Sequence, residues 1–144
     1  MLSITRIFRF EAAHSLSDYD GSCRNIHGHS YKLHLTVSGT GPKKGMLIDF
    51  KVLKKLVEDA VVNELDHALM LMKNEQNLAY TKNMITKVVW MDEEPTAEFL
   101  VYWMYHRIAP QLPDDVYVSN IRLFETENCY VDFSVAAPLY DSAG

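Results

Sequence analysis

The 144-residue chain is long enough for one domain with a sizeable core, and 48% hydrophobic against 23% charged residues is ordinary for a globular protein. A net charge of −5, with no block or stripe of Lys and Arg, argues against nucleic acid as a partner. Cys23 and Cys129 make no secreted-type disulfide framework, no stretch approaches a membrane span and the first residues do not read as a signal peptide, so the expectation is a cytoplasmic protein with no membrane partner.

Residues 3–13 set Ile4, Phe8, Phe10 and Ala12 against Thr5, Ile7, Arg9 and Glu11, which predicts a strand. A polar loop from Ser15 to Asn25 follows, with Asp18, Asp20, Gly21 and Ser22 as turn formers. A second strand is predicted from about His29 to Gly39. Tyr31, Leu33, Leu35 and Val37 form its apolar face, and His34 falls on the polar face, where it reads as solvated rather than as a ligand. Asp49 is placed to cap a helix from about Phe50 to Glu64, with Leu53, Leu56, Val57, Ala60 and Val61 at helical spacing.

Residues 68–94 read as an insertion: an apolar run Leu69–Met72, a polar loop Lys73–Asn77 and a short extra strand within Met84–Met91. A second helix begins near Thr96, with Pro95 before it and Glu98 in its first turn, and Pro110 and Pro113 end it. Val116–Glu125 and Cys129–Val135 are the last two strands; Cys129, among Tyr130, Val131 and Phe133, reads as a packing residue. The tail from Tyr140 reads as a loose end. The order predicts an α+β domain: a four-stranded antiparallel sheet with two helices on one face. Its far face and two edges stay open, which favours assembly.

The chemistry concentrates between His14 and His29. His27 and His29 are two apart, so an extended chain projects them to one face, and Gly28 removes a side chain where the backbone would lie close to a metal. His14 can supply a third nitrogen, the number of protein ligands catalytic zinc sites commonly use while leaving a fourth position open. Cys23 can be an inert thiol, a fourth ligand or a reactive group; its polar loop and the adjacent Arg24 favour reactivity. Asp66-His67 follows the first helix, where a histidine near the helix C-terminus has a purely structural explanation. Glu125 ends a strand, where a glutamate is commonly just solvated.

Phe10-Glu11-Ala12-Ala13-His14, followed by Cys23 and, after three residues, His27-Gly28-His29, resembles the signature of the 6-pyruvoyl-tetrahydropterin synthase family, which includes the 6-carboxy-tetrahydropterin synthases. The likeness continues through Ile48-Asp49-Phe50, Leu65-Asp66-His67, Pro95-Thr96-Ala97-Glu98 and Phe124-Glu125-Thr126, in the family's order and over nearly the whole chain. The resemblance implies the tunnelling fold, in which three subunits join sheets into a barrel and two trimers stack as a hexamer. It implies zinc on His14, His27 and His29, and Cys23 as a general base in a relay with Asp66 and His67. It also implies that Glu125, rather than Glu127, holds the N–C–N edge of a pterin through two parallel hydrogen bonds. Thr96 is expected either to contact the ring or to cap the helix.

The substrate implied is a small molecule, 7,8-dihydroneopterin triphosphate. The three residues between Cys23 and His27 resemble the branch that makes 6-carboxy-5,6,7,8-tetrahydropterin with acetaldehyde and triphosphate, in queuosine and deazapurine synthesis. The biopterin branch, with a 6-pyruvoyl product, is the alternative. A non-catalytic zinc- or pterin-binding scaffold is a third reading, against which the presence of Cys23, Asp66, His67 and Glu125 counts. The chain departs from the pattern at Met70-Leu71, where the family often has Leu-Asn, and in the length of its insertion; both concern the mouth of the pocket. With no basic stripe, a triphosphate needs cations gathered by the fold or by a neighbouring subunit.

Overall fold

In the computed structural model, which describes residues 1–17, 19 and 21–139, the first strand runs over Leu2–His14 (β1) and the second over His27–Gly39 (β2). They form one long antiparallel hairpin, with Phe8 opposite Leu33, Ala12 opposite His29 and His14 opposite His27. Alternation works as expected: Phe8, Phe10 and Ala12 are buried with Tyr31, Leu33, Leu35 and Val37, while Thr5, Ile7, Arg9 and Glu11 point outward or lie exposed. Asp18, Asp20 and the tail from Tyr140 lie outside the described residues.

Helices cover the apolar face. Asp49 caps α1 (Phe50–Val57), its Oδ1 accepting the Lys51 N–H at 2.7 Å. The helix continues through a π turn over Glu58–Val62 and a closing turn α2 (Asn63–Leu65). There the Asn63 N–H reaches back to the Glu58 carbonyl, and the Ala60 carbonyl accepts from Arg107 Nε at 2.8 Å. The Arg107 guanidinium also pairs with Glu64. Arg107 belongs to α4 (Ala97–Ile108), so this contact ties the two helices together. Leu53, Val57, Val61 and Leu65 meet Leu100, Met104 and Ile108 over the sheet, all fully buried. Burying an aliphatic side chain of this size contributes roughly 1.5–3 kcal/mol.

The chain is α+β, as its element order predicts, but the sheet has six strands and is mixed rather than four and antiparallel. The insertion itself folds as β3 (Ala68–Met72), α3 (Glu75–Thr81) and β4 (Val88–Met91), and the strand order is β4-β3-β1-β2-β5-β6. β3 runs parallel to β1 over Ala12–His14, and β4 runs parallel to β3. Ala68–Leu71 is buried on both faces, which explains its unbroken apolar run. The rest of the sheet is as predicted: β5 (Tyr117–Thr126) pairs antiparallel with β2, and β6 (Cys129–Ser134) with β5.

Two further expectations are corrected. Cys129 is exposed at the β5–β6 turn and is not a packing residue. His34 is half-buried rather than solvated: its ring lies 5.2 Å from that of Phe124 and its Nε2 is buried without a partner. Burial, with the cations of Lys32, Arg122 and Arg9, holds the His34 imidazole below its ordinary pKa. No helix among the described residues is long and apolar enough to cross a membrane.

Candidate metal centre and catalytic site

The hairpin register delivers the three histidines. His14 and His27 are opposite one another at the end of the β1–β2 ladder, and His29 follows two residues on, so all three imidazoles project from the helix-covered face. Each offers one ligand atom, and these atoms all lie within 4.8 Å of one another. The group does not include Cys23.

Outer hydrogen bonds fix the tautomers. His14 Nδ1 lies 2.7 Å from the Pro95 carbonyl and His27 Nδ1 lies 2.7 Å from the Asn25 carbonyl. Carbonyls only accept, so both Nδ1 atoms carry protons and both Nε2 atoms present lone pairs in the neutral form. Those two Nε2 atoms face each other at 3.1 Å. Lone pairs that close repel unless a cation lies between them. Tetrahedral zinc with nitrogens at roughly 2.0–2.1 Å sets neighbouring ligands about 3.3 Å apart, close to the observed separation. Burial pushes the His14 pKa down, which favours the neutral form that binds metal. The residues fit a divalent cation.

Glu125 faces this cluster. Its Oε1 lies 3.7 Å from His29 Nε2, an atom that is buried and has no hydrogen-bond partner. The register shifts between Phe124 and Thr126, so Glu125 occupies a bulge, the device that re-aims a side chain at a strand end. Glu127 is exposed in the following turn. Tyr31 completes the wall: its ring is 5.6 Å from that of His29, and its hydroxyl is buried without a partner. Burial, reinforced by the Glu125 charge, pushes its ionisation far above the ordinary tyrosine range.

Cys23 lies in a 3-10 turn, Ser22–Arg24, between β1 and β2, as a half-buried free thiol. The Leu16 N–H donates to its carbonyl at 2.9 Å.

Asp66 and His67 pair with each other, Oδ2 to Nδ1 at 3.1 Å. Both are held to β1: Asp66 Oδ1 accepts the Glu11 N–H at 2.9 Å, and the His67 N–H donates to the Glu11 carbonyl at 2.6 Å. The Glu11 N–H, then His67, hold the Asp66 carboxyl below its usual range. His67 takes a φ of 61°, a left-handed conformation uncommon for a histidine, and its side chain is 79% exposed. It stands in a cleft of about 480 Å³ with Glu11, His29, Ser30 and Met84. No hydrogen bond or ion pair joins this dyad to Cys23 among the described residues.

Thr96 is the N-cap of α4, its Oγ1 accepting from the Phe99 N–H at 3.2 Å. Thr96→Ala should therefore lower stability by about 1 kcal/mol, whereas Thr96→Ser, which keeps the acceptor, should stay close to the unaltered protein in a denaturant titration.

The chain matches the 6-pyruvoyl tetrahydropterin synthase family over residues 3–135. The chain belongs to that family. Relatives named 6-carboxy-5,6,7,8-tetrahydropterin synthase include one from Haemophilus influenzae, 30% identical over 92% of this chain and 99% of its own length. Another from Rickettsia bellii is 32% identical over the same shares. Among solved structures, an uncharacterised protein of Wolinella succinogenes superposes with a TM-score of 0.77 at 20% identity, covering 92% of this chain and 97% of its own. The 6-pyruvoyl tetrahydropterin synthase of Caenorhabditis elegans does so at 0.69 and 20%, covering 94% and 96%. At those identities the likeness concerns the fold.

Sequence patterns do not mark the carbonyls of Asn25 and Pro95 or the Tyr31 hydroxyl. Pro95 is the one with a signal, since it opens the family-like Pro95-Thr96-Ala97-Glu98 stretch.

Proposed function

We propose that this member of the family is a zinc-dependent lyase that converts 7,8-dihydroneopterin triphosphate to 6-carboxy-5,6,7,8-tetrahydropterin, releasing acetaldehyde and triphosphate. The observation that carries the reading is the 3.1 Å approach of His14 Nε2 to His27 Nε2, each ring held at Nδ1 by a backbone carbonyl, with His29 and Glu125 beside them and Cys23 outside the ligand group. A zinc ion held by the three histidines supplies Lewis acidity to the side-chain hydroxyls of a bound pterin.

This chain's own groups do the rest. The Glu125 carboxylate accepts two parallel hydrogen bonds from the ring's N–C–N edge and so sets the side chain over the histidines. Cys23 removes the proton from the carbon next to the hydroxyls. Asp66 holds His67 Nδ1 and leaves Nε2 free to exchange a proton with the side chain. Triphosphate leaves by elimination, and water adding at the ring-side carbonyl carbon then breaks the bond to the next carbon, giving the 6-carboxylate and acetaldehyde.

His67 is too exposed to work in this position without cover, and the sheet offers a means of assembly. β1 pairs with β3 only over Ala12–His14, so its outer edge from Leu2 onward is unpaired, and β6 is an edge strand at the other side. Copies joined edge to edge, as in a homo-hexamer, would enclose the cleft around His67.

Supplying purified, zinc-loaded protein with 7,8-dihydroneopterin triphosphate tests the reading. Acetaldehyde should appear in step with triphosphate, and 6-carboxy-tetrahydropterin should be the main pterin by mass. Triphosphate without acetaldehyde, with a three-carbon side chain still on the ring, would assign the biopterin-type reaction. No turnover of a protein that still binds the pterin would leave a scaffold.

Glu125→Gln should weaken pterin binding by about 1.5–3 kcal/mol, the range for hydrogen bonds to a charged partner. Glu127→Gln should leave it nearly unchanged. Titration calorimetry with a pterin distinguishes them, and the reverse pattern would show that Glu127 is the anchor.

A further inference from the structure

The dipeptide Glu94-Pro95 touches two parts of the site at once. The Pro95 carbonyl accepts from His14 Nδ1 at 2.7 Å. The Glu94 carboxylate accepts the Ser17 backbone N–H at 2.9 Å through Oε2 and the Ser17 hydroxyl through Oε1. Ser17 adjoins Leu16, whose N–H donates to the Cys23 carbonyl, and the Ser15 hydroxyl donates to the Arg24 carbonyl at 2.6 Å. Ser15, Leu16 and Ser17 therefore hold the Cys23 turn on one side and are held by Glu94 on the other. Asn74 adds a strut: its Nδ2 donates to Ser17 Oγ at 3.2 Å while its Oδ1 caps α3 through the Asn77 N–H at 2.7 Å.

Glu94 is half-buried, and a carboxylate receiving two donors from one residue forms charge-assisted bonds, roughly twice as strong as neutral ones. The spacing between a metal ligand and the turn carrying Cys23 is thus set by one dipeptide, rather than by two independently moving loops.

We propose that Glu94 is a positioning residue for Cys23, holding the thiol's turn through Ser17 in fixed relation to His14 at the proton-abstraction distance from substrate. This rests on the reading of Cys23 as the base. A base must come within hydrogen-bond reach of its proton, and a displacement of about 1 Å can cost on the order of a hundredfold in rate. The insertion then does more than widen the sheet: its Asn74 and the residues after β4 brace the loop that carries the base.

The test uses the full chain with Cys129→Ser, so that the remaining thiol reports alone. Glu94→Ala should keep about one zinc per chain, because His14 is oriented by a backbone carbonyl that the substitution leaves in place. Its kcat should fall roughly ten- to a hundredfold with KM little changed, and Cys23 should react with iodoacetamide at an altered rate. Glu94→Gln should restore most of kcat, since the amide oxygen still accepts the Ser17 N–H. Ser17→Ala should lie between.

Unchanged kcat and alkylation in Glu94→Ala overturn the proposal, as does loss of zinc in step with activity, or a Glu94→Gln no better than Glu94→Ala. If Glu94→Ala fails to fold, Ser17→Ala decides by the same two readouts. A fully active Cys23→Ala would refute the base assignment itself. An inactive Cys23→Ala beside a fully active Glu94→Ala removes only the positioning role.

Discussion

Cys23→Ala should keep its zinc and its fold and lose nearly all turnover. Removing a general base costs about 10²–10⁴-fold in rate, and the Cys23 thiol on the β1–β2 connection is the group proposed for that task. The expectation of retained zinc follows from geometry: the ligand atoms that gather within 4.8 Å belong to His14, His27 and His29. A half-buried side chain on a 3-10 turn also carries little of the core, so melting should shift only slightly. Metal analysis beside single-turnover kinetics gives the answer. If zinc leaves with the thiol, Cys23 is a fourth ligand and the site is a closed, structural one.

The second large effect is on the metal itself. His27→Ala and His29→Ala should each strip the site of zinc at ordinary concentrations and abolish activity. Losing an outer hydrogen-bond partner of a ligand already costs about 10–100-fold in affinity, and losing the ligand costs more. The same substitutions remove the repulsion between His14 Nε2 and His27 Nε2, or the burial of the orphaned His29 Nε2, so the metal-free variants should unfold no more readily than the metal-free parent. Full zinc occupancy in both variants would end the three-histidine assignment.

Much of this architecture is legible in the chain because its signals are local. Phe8-Phe10-Ala12 and Tyr31-Leu33-Leu35-Val37 alternate cleanly, since the hairpin has one wet face, and Asp49 and Thr96 stand where helix caps belong. The parallel strands are harder to read. Leu69–Leu71 is covered on both faces, so it shows no period of two, and its partners lie far away at Ala13 and Val88. Glu94 ends the run Asp92-Glu93-Glu94, which looks like a solvated turn until Ser17, distant in sequence, is placed against it. His34 sits on the polar stripe of β2, where the Phe124 ring from β5 packs against it, a contact that the pattern of β2 does not reveal. Asp66 and His67 are a sequence pair whose meaning depends on the Glu11 backbone that seats them.

The first hairpin has a consequence for the order in which the protein acquires its parts. His14, His27 and His29 all lie on β1 or β2, with Cys23 on the connection between them, so one local chain closure gathers the three histidines. Asp66, Glu94, Pro95 and Glu125 arrive from later in the chain and need long-range pairing first. A chain emerging in sequence order therefore has its three candidate metal ligands side by side before Glu94, Glu125 and the helices are in place. Metal capture at that stage would hold the β1–β2 register, the template on which β3 and β5 must align. The ion would then act first as a mould for the sheet and only afterwards as a reagent.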